Sequence, residues 1–279
     1  MIGFFDSGLG GLTILQEVIE RCPQGTYVYL GDNARAPYGL RSAEEVRRFT
    51  TEGVAWLIEQ GCELVILACN TASAHALRFL QQTWLPIHAP TVRVLGILVP
   101  TVEVITGVQW DEKHTTNGAP SVLVFATPST VASGAYEREI LKRSPRATVI
   151  LQSCPDLVSL MEAAVPRAIL QRAVHDYVQT ALLRVTTPLD GVLLGCTHYA
   201  LIEELFRACL PEPVFVLSQP KIVASALQGY LKRHPTCVMT QEGLPAYRFA
   251  TTGDPDAVSY ASHRLFPTRI VYEQVVLSV

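Results

Sequence analysis

The sequence predicts an α/β protein built from two similar α/β domains with mostly parallel sheets. Two observations point there. Short apolar runs alternate with amphipathic stretches along the chain, which is the pattern of strand–helix units on parallel sheets. A faint internal repeat then divides the 279 residues into comparable halves. Composition agrees: 49% of residues are apolar, 17% are charged, and mean hydropathy is +0.25. Such a chain is not disordered. A spanning helix needs about 20 consecutive apolar residues. The densest stretch, Val92 to Val108, opens beside Arg93 and is broken by Pro100 and Glu103. Short strands buried on both faces therefore explain the apolar excess.

The predicted strands are Ile2–Phe5, Tyr27–Leu30, Leu64–Ala68, Val92–Ile97, Val122–Ala126, Thr148–Leu151, Val192–Leu194, Val214–Leu217 and Tyr247–Ala250. Each is a short apolar run of strand length. Helices fill most of the gaps. Ser42 to Gln60 is the clearest. Ser42 and Glu45 form a capping box, and Val46, Phe49, Gly53 and Leu57 follow at helical spacing. Gln171 to Arg184 is another. Trp110 to Pro120 is polar, holds Gly118 and Pro120, and reads as a linker or surface loop.

The repeat sets the division. Glu63 to Ala74 resembles Asp190 to Ala200: an acid, an apolar strand, a small residue, a cysteine, polar residues, then an apolar helix. Cys69 and Cys196 are 127 residues apart. Gly3 to Gly8 aligns less well with Val124 to Ser129, matching Asp6 to Thr127. This cuts the chain near Val108–Pro120. The halves are placed at 1–97 with 213–279, and at 98–212.

Net charge is −3, so no basic field points to nucleic acid. The N-terminus, Met1-Ile2-Gly3-Phe4-Phe5-Asp6, lacks the regions of a secretory signal, and a cytoplasmic location is expected. Seven cysteines are scattered at 22, 62, 69, 154, 196, 209 and 237 without a CxxC. Free thiols fit that better than a disulfide framework.

Cys69 and Cys196 each sit where a strand should end and a helix begin. Ligands of open α/β sheets bind there. A helix start offers free N–H groups that hold carboxylates and lower a thiol pKa. Asn70, Thr71 and Thr197 suit capping and ligand binding. The plainer reading, small buried cysteines, suits one such site better than two in repeated contexts. His198 would reach the mouth beside Cys196 and exchange a proton near neutral pH, or be a capping histidine. Cys196, His198 and Cys69 lack zinc spacing and a fourth ligand, so no metal is expected. Asp6-Ser7-Gly8-Leu9-Gly10-Gly11 permits a tight turn and close approach to a ligand. It is neither GxGxxG nor a Walker loop. Asp6 would be an acid–base group or a helix cap. Gly31 to Gly39 is a turn-rich segment in which Tyr38 and Gly39 would cover a pocket, or an ordinary surface loop.

Taken together and in order, Phe5 to Gly11, Gly31-Asp32 with Pro37-Tyr38-Gly39, Ala68 to Ala72, Gly195 to Tyr199 and Thr251 to Pro255 resemble the glutamate racemases of the aspartate/glutamate racemase superfamily. The resemblance covers nearly the whole chain. It implies two α/β domains with the active site in the cleft between them, one cysteine from each, and no cofactor. It implies Cys69 and Cys196 as acid–base thiols, Asp6 and Asp32 as assisting acids, and His198 as support for the second thiol. Glu162 is a further acid on a looser match. Ser7, Tyr38, Gly39, Asn70, Thr71, Thr127, Thr130 and Thr197 fall where the family binds the polar groups of its amino acid. The partner implied is glutamate, with D-glutamate feeding peptidoglycan synthesis. Homodimers are common in the family, although no interface signature stands out here.

The chain departs from the pattern at three places. Ala200 stands where proline is usual, Ser218-Gln219-Pro220 stands where an Asp-Ser pair is common, and the 110–120 loop is longer. A pyridoxal-phosphate racemase needs a Schiff-base lysine, and none of Lys113, Lys142, Lys221 and Lys232 lies in a motif. A two-cysteine isomerase of aspartate, a hydantoin or maleate stays open. So does a non-catalytic amino-acid-binding protein. A Cys–His hydrolase leaves one thiol unexplained.

Overall fold

The computed structural model describes residues 1–109, 119–235, 247–265 and 270–277. The 110–118 part of the expected loop and Cys237 lie outside them.

All nine expected strands form: β1 Ile2–Asp6, β2 Tyr27–Gly31, β3 Leu64–Leu67, β4 Arg93–Gly96, β5 Ser121–Ala126, β6 Thr148–Ser153, β7 Gly191–Leu194, β8 Phe215–Leu217 and β9 Tyr247–Thr251. A tenth, β10 Glu273–Gln274, is two polar residues at a sheet edge and has no apolar run to announce it. The helices are α1 Leu12–Arg21, α2 Ala43–Glu59, α3 Asn70–Phe79, α4 Leu85–His88, α5 Leu98–Thr106, α6 Pro128–Ser133, α7 Ala135–Arg143, α8 Leu157–Glu162, α9 Arg167–Leu182, α10 Glu203–Arg207, α11 Gln219–Arg233 and α12 Pro255–Leu265. Helix α2 carries its capping box: Ser42 Oγ accepts the Glu45 N–H at 3.2 Å, and Glu45 Oε2 accepts the Ser42 N–H at 3.0 Å. Helix α9 starts before the expected Gln171, directly after Pro166 at its N-cap.

The strands make two sheets, ordered β10-β9-β2-β1-β3-β4 and β6-β5-β7-β8. Every pairing is parallel. Within them β2-β1-β3-β4 and β6-β5-β7-β8 are the same order, so the repeat seen in the sequence is a repeat of topology. Register corrects its weaker half. Phe5 lies opposite Leu67, and Phe125 opposite Leu194. With Cys69 matched to Cys196, Phe125 is the counterpart of Phe5. Asp6 then matches Ala126, and Ser7 matches Thr127, one residue away from the expected alignment.

The expected return to the first half at residue 213 is also corrected. Phe215–Leu217 pairs with β7, so the second sheet extends to residue 217. One apolar cluster contains Phe4 and Ile66 of the first sheet, Val122 and Leu193 of the second, and Val223 and Leu227 of α11. It joins the two sheets. The others line their outer faces. Among the described residues, no helix is long and apolar enough to cross a membrane.

Candidate active site

The carboxyl ends of β1 and β3 in one sheet, and of β5 and β7 in the other, converge on a single cavity. In each sheet these are the strands about which the order reverses, where α/β sheets bind ligands. The cavity encloses about 30 Å³. Its lining includes Asp6, Ser7, Tyr38, Gly39, Cys69, Asn70, Thr71, Thr127, Cys196, Thr197 and His198. Eleven of the fourteen residues singled out from the sequence therefore face one space. The cysteines among the described residues are all free thiols.

Cys69 caps α3. Its sulfur accepts the Ala72 N–H at 3.5 Å, and its thiol donates to Ser7 Oγ at 3.4 Å. A helix start was expected to lower this thiol's pKa. Instead, burial and the neighbouring Asp6 charge push it up to about 12, and Ser7 and Ala72 offset only part of that. Cys69 is a thiol at neutral pH.

Cys196 precedes a 3₁₀ stretch, Thr197–Ile202, where the sequence suggested a helix. Its sulfur lies 4.0 Å from His198 Nδ1, and His198 Nε2 lies 3.0 Å from Glu162 Oε1. Burial pulls the His198 pKa down, but its bonds to Cys196 and Glu162 outweigh this and hold it well above the ordinary imidazole value. That favours an imidazolium beside the second sulfur. Gly10 makes the close packing feasible, because a Cβ there would collide with the His198 ring and the Thr197 hydroxyl.

Asp6 is 1% exposed, and its Oδ2 accepts the Gly8 N–H at 2.9 Å. Helix α1 starts later, with Gly11 at its N-cap, so Asp6 does not cap it. Burial raises the Asp6 pKa, and the His198 charge lowers it by less.

Three expected residues stand outside the cavity lining. Thr130 Oγ1 lies 3.0 Å from the hydroxyls of Thr71 and Thr127, tying α3 to α6 behind the wall. Glu162 acts on the site through His198. Asp32 is fully buried behind the wall. Its carboxylate accepts hydrogen bonds from the Tyr38 hydroxyl, Arg35 Nε (2.7 Å) and Thr252 Oγ1 (2.7 Å). Those donors hold it behind Tyr38, which faces the cavity in its place. Thr251 Oγ1 donates to Asn33 Oδ1 at 2.9 Å, so Thr251-Thr252 clamps the same turn. Gly39 brings that turn onto the second half, where a Cβ would lie 2.7 Å from Thr127 Cβ.

Sequence reasoning missed Pro37, Leu40, Pro128, Pro155, Val158 and Ser159 in the lining. Pro155 follows the end of β6, and the strand-end rule points to it. Val158 and Ser159 carry no local signal. Among the described residues, no group of three or more His, Cys, Asp or Glu side chains is placed to hold a metal ion.

Residues 12–226 match the model of the Asp/Glu/Hydantoin racemase family. A glutamate racemase from Phenylobacterium zucineum is 44% identical over 265 residues, covering 92% of this chain and 93% of that one. One from Jannaschia is 42% identical over 276 residues, covering 98% and 99%. Among solved structures, a Bacillus anthracis glutamate racemase aligns with a TM-score of 0.83 at 32% identity, covering 99% of this chain and 97% of that one. A Francisella tularensis glutamate racemase in complex with D-glutamate aligns at 0.84 and 29%, with the same coverage.

Proposed function

This chain belongs to the Asp/Glu/Hydantoin racemase family, and from that premise we propose that it interconverts L- and D-glutamate by two-cysteine proton transfer at Cα, without a cofactor. The observation that carries the proposal is the convergence of Cys69 and Cys196, from equivalent strand ends of the two halves, on one cavity.

Inverting a stereocentre without an electron sink requires a base on one face and an acid on the other. The two sulfurs have unequal surroundings. Cys196 has the His198 imidazolium, itself braced by Glu162, and suits the thiolate base. Cys69 keeps its proton and suits the acid. The base takes the Cα proton. The acid then gives its own to the opposite face, so the two thiols end with their protonation exchanged. The other enantiomer runs the same steps in reverse. As Cys69 becomes a thiolate, the Ser7 hydroxyl and the Ala72 N–H are the donors that hold its charge. The carbanion-like centre forms beside the substrate carboxylate, and preorganised donors there lower the barrier. Asn70, Thr71, Thr127 and Thr197 supply polar groups around it. Burial and, after it, the neighbouring Asp6 carboxyl raise the Cys69 pKa.

Relatives named for glutamate support that substrate. Its D-isomer would enter peptidoglycan synthesis. The test is incubation of the purified protein with L-glutamate in deuterated water, without added cofactor. Racemisation with deuterium at Cα is expected. Turnover of aspartate but not glutamate would overturn the substrate, and binding without isotope exchange would overturn the enzyme reading.

A further inference from the structure

The chain crosses between the sheets twice, at Ile97–Leu98 after β4 and at Ser218–Gln219 after β8. Gln219, 1% exposed, ties both crossings to the cavity wall. Its Nε2 lies 3.2 Å from Thr101 Oγ1 and 3.4 Å from the Ile97 carbonyl oxygen. The Thr101 hydroxyl donates to the same Ile97 carbonyl at 2.8 Å, so its oxygen is left to accept. Two acceptors thus face one end of the Gln219 amide, and that end must be the nitrogen.

The orientation passes on to Asn70. Gln219 Oε1 accepts from Asn70 Nδ2 at 2.6 Å, and Gln219 Nε2 lies 3.1 Å from Asn70 Oδ1. The Tyr136 hydroxyl donates to Asn70 Oδ1 at 2.6 Å and faces Gln219 Nε2 at 3.1 Å. Both lone pairs of Asn70 Oδ1 are occupied, and one Nδ2 hydrogen is committed to Gln219. The second has no protein acceptor among the described residues. Asn70 lines the cavity next to Cys69.

We infer that Gln219 is a positioning residue: it fixes the Asn70 amide so that one N–H is presented to the substrate, and it couples that group to the two crossings between the halves. This rests on the reading of the cavity as an amino-acid site. It also gives a use to Ser218-Gln219-Pro220, the stretch that departs from the common Asp-Ser pair.

The test compares racemisation by wild type, Gln219→Leu, Asn70→Ala and the double variant, with thermal unfolding measured alongside. Gln219→Leu should raise KM about tenfold, the scale of one lost hydrogen bond, with a smaller change in kcat. In the Asn70→Ala background it should change KM by less than about twofold, because contacting residues are not additive. Equal effects in both backgrounds, or an unchanged KM in the folded variant, would overturn the inference. If Gln219→Leu does not fold, Gln219→Met gives the same comparison. It keeps much of the side-chain volume and loses both the acceptor for Asn70 and the donors. An independent readout uses no substrate. In 15N-labelled protein, one Asn70 amide hydrogen should exchange slowly in wild type and fast in the Gln219 variant. Equal exchange would refute the inference, whereas absent glutamate turnover by wild type would refute only the substrate reading.

Discussion

Asp6 and His198 are buried titratable groups whose shifts have opposite consequences for substitution. The Asp6 pKa is raised chiefly by burial. The folded state therefore binds that proton more tightly than the unfolded state. The stability this contributes is full below the unfolded value of about 3.9 and is lost as pH rises through the folded value. Asp6→Asn should remove that loss. At neutral pH the variant should melt higher than wild type, by about 2–4 °C for each kcal/mol relieved, while its racemisation falls. The melting advantage should vanish at acidic pH. Calorimetry at both pH values checks this, and a pH-independent difference would contradict it. The His198 pKa is also raised, but here burial opposes the shift and the bonds to Cys196 and Glu162 cause it. Its stabilisation is present below the unfolded imidazole value of about 6.5 and is lost as pH rises through the folded value. Glu162→Gln should bring the NMR titration of the His198 ring down towards the ordinary range. An unmoved midpoint would show that Glu162 does not set it.

Between residues and the whole chain stand the elements that hold them. Tyr38 faces the cavity because its turn is gripped from behind. Arg35 joins Asp32 to Glu52 of α2 and stacks over Phe49, 4.1 Å from the ring centre. Glu52→Gln should lower Tm. Arg35 is 23% exposed and keeps Asp32, so the loss should fall short of the ~3–5 kcal/mol typical of breaking a buried pair. The variant should also raise KM through Tyr38, and a lower Tm with KM unchanged would separate the turn from substrate binding. Elements of this kind were legible to different degrees. The α2 capping box and the buried strands follow from local pattern. The 3₁₀ stretch after Cys196 does not, because nothing in Thr197-His198-Tyr199 distinguishes it from a first helical turn. The resemblance implied Asp32 as an assisting acid, yet Arg35 and Tyr38 from its own turn and Thr252 from 220 residues away decide where its carboxylate points. The sign of the Cys69 shift was missed for a similar reason. The helix start is local, but the burial and the Asp6 charge that outweigh it arise only on folding.

At the scale of the molecule, two copies of one strand order face each other across a site that is symmetric in its thiols and asymmetric in their support. Ser7 and Thr127 are counterparts by register, as are Cys69 and Cys196. Asp6 has only Ala126 opposite it, and His198 with Glu162 serves the second thiol alone. The repeat in the sequence disclosed the symmetric part because strand and cysteine recur together. It concealed the one-residue offset, which only pairing register fixes. The cavity of about 30 Å³ has room for little more than a water. Leu40, 61% exposed yet in the lining, stands at its rim.

The central claim is that both thiols are required, one on each face of Cα. It is tested most directly by measuring racemisation from L- and from D-glutamate with folded Cys69→Ala and Cys196→Ala. Both variants should lose about 10²–10⁴-fold in both directions, the scale of a positioned acid or base. Racemisation near the wild-type rate in either variant would contradict it.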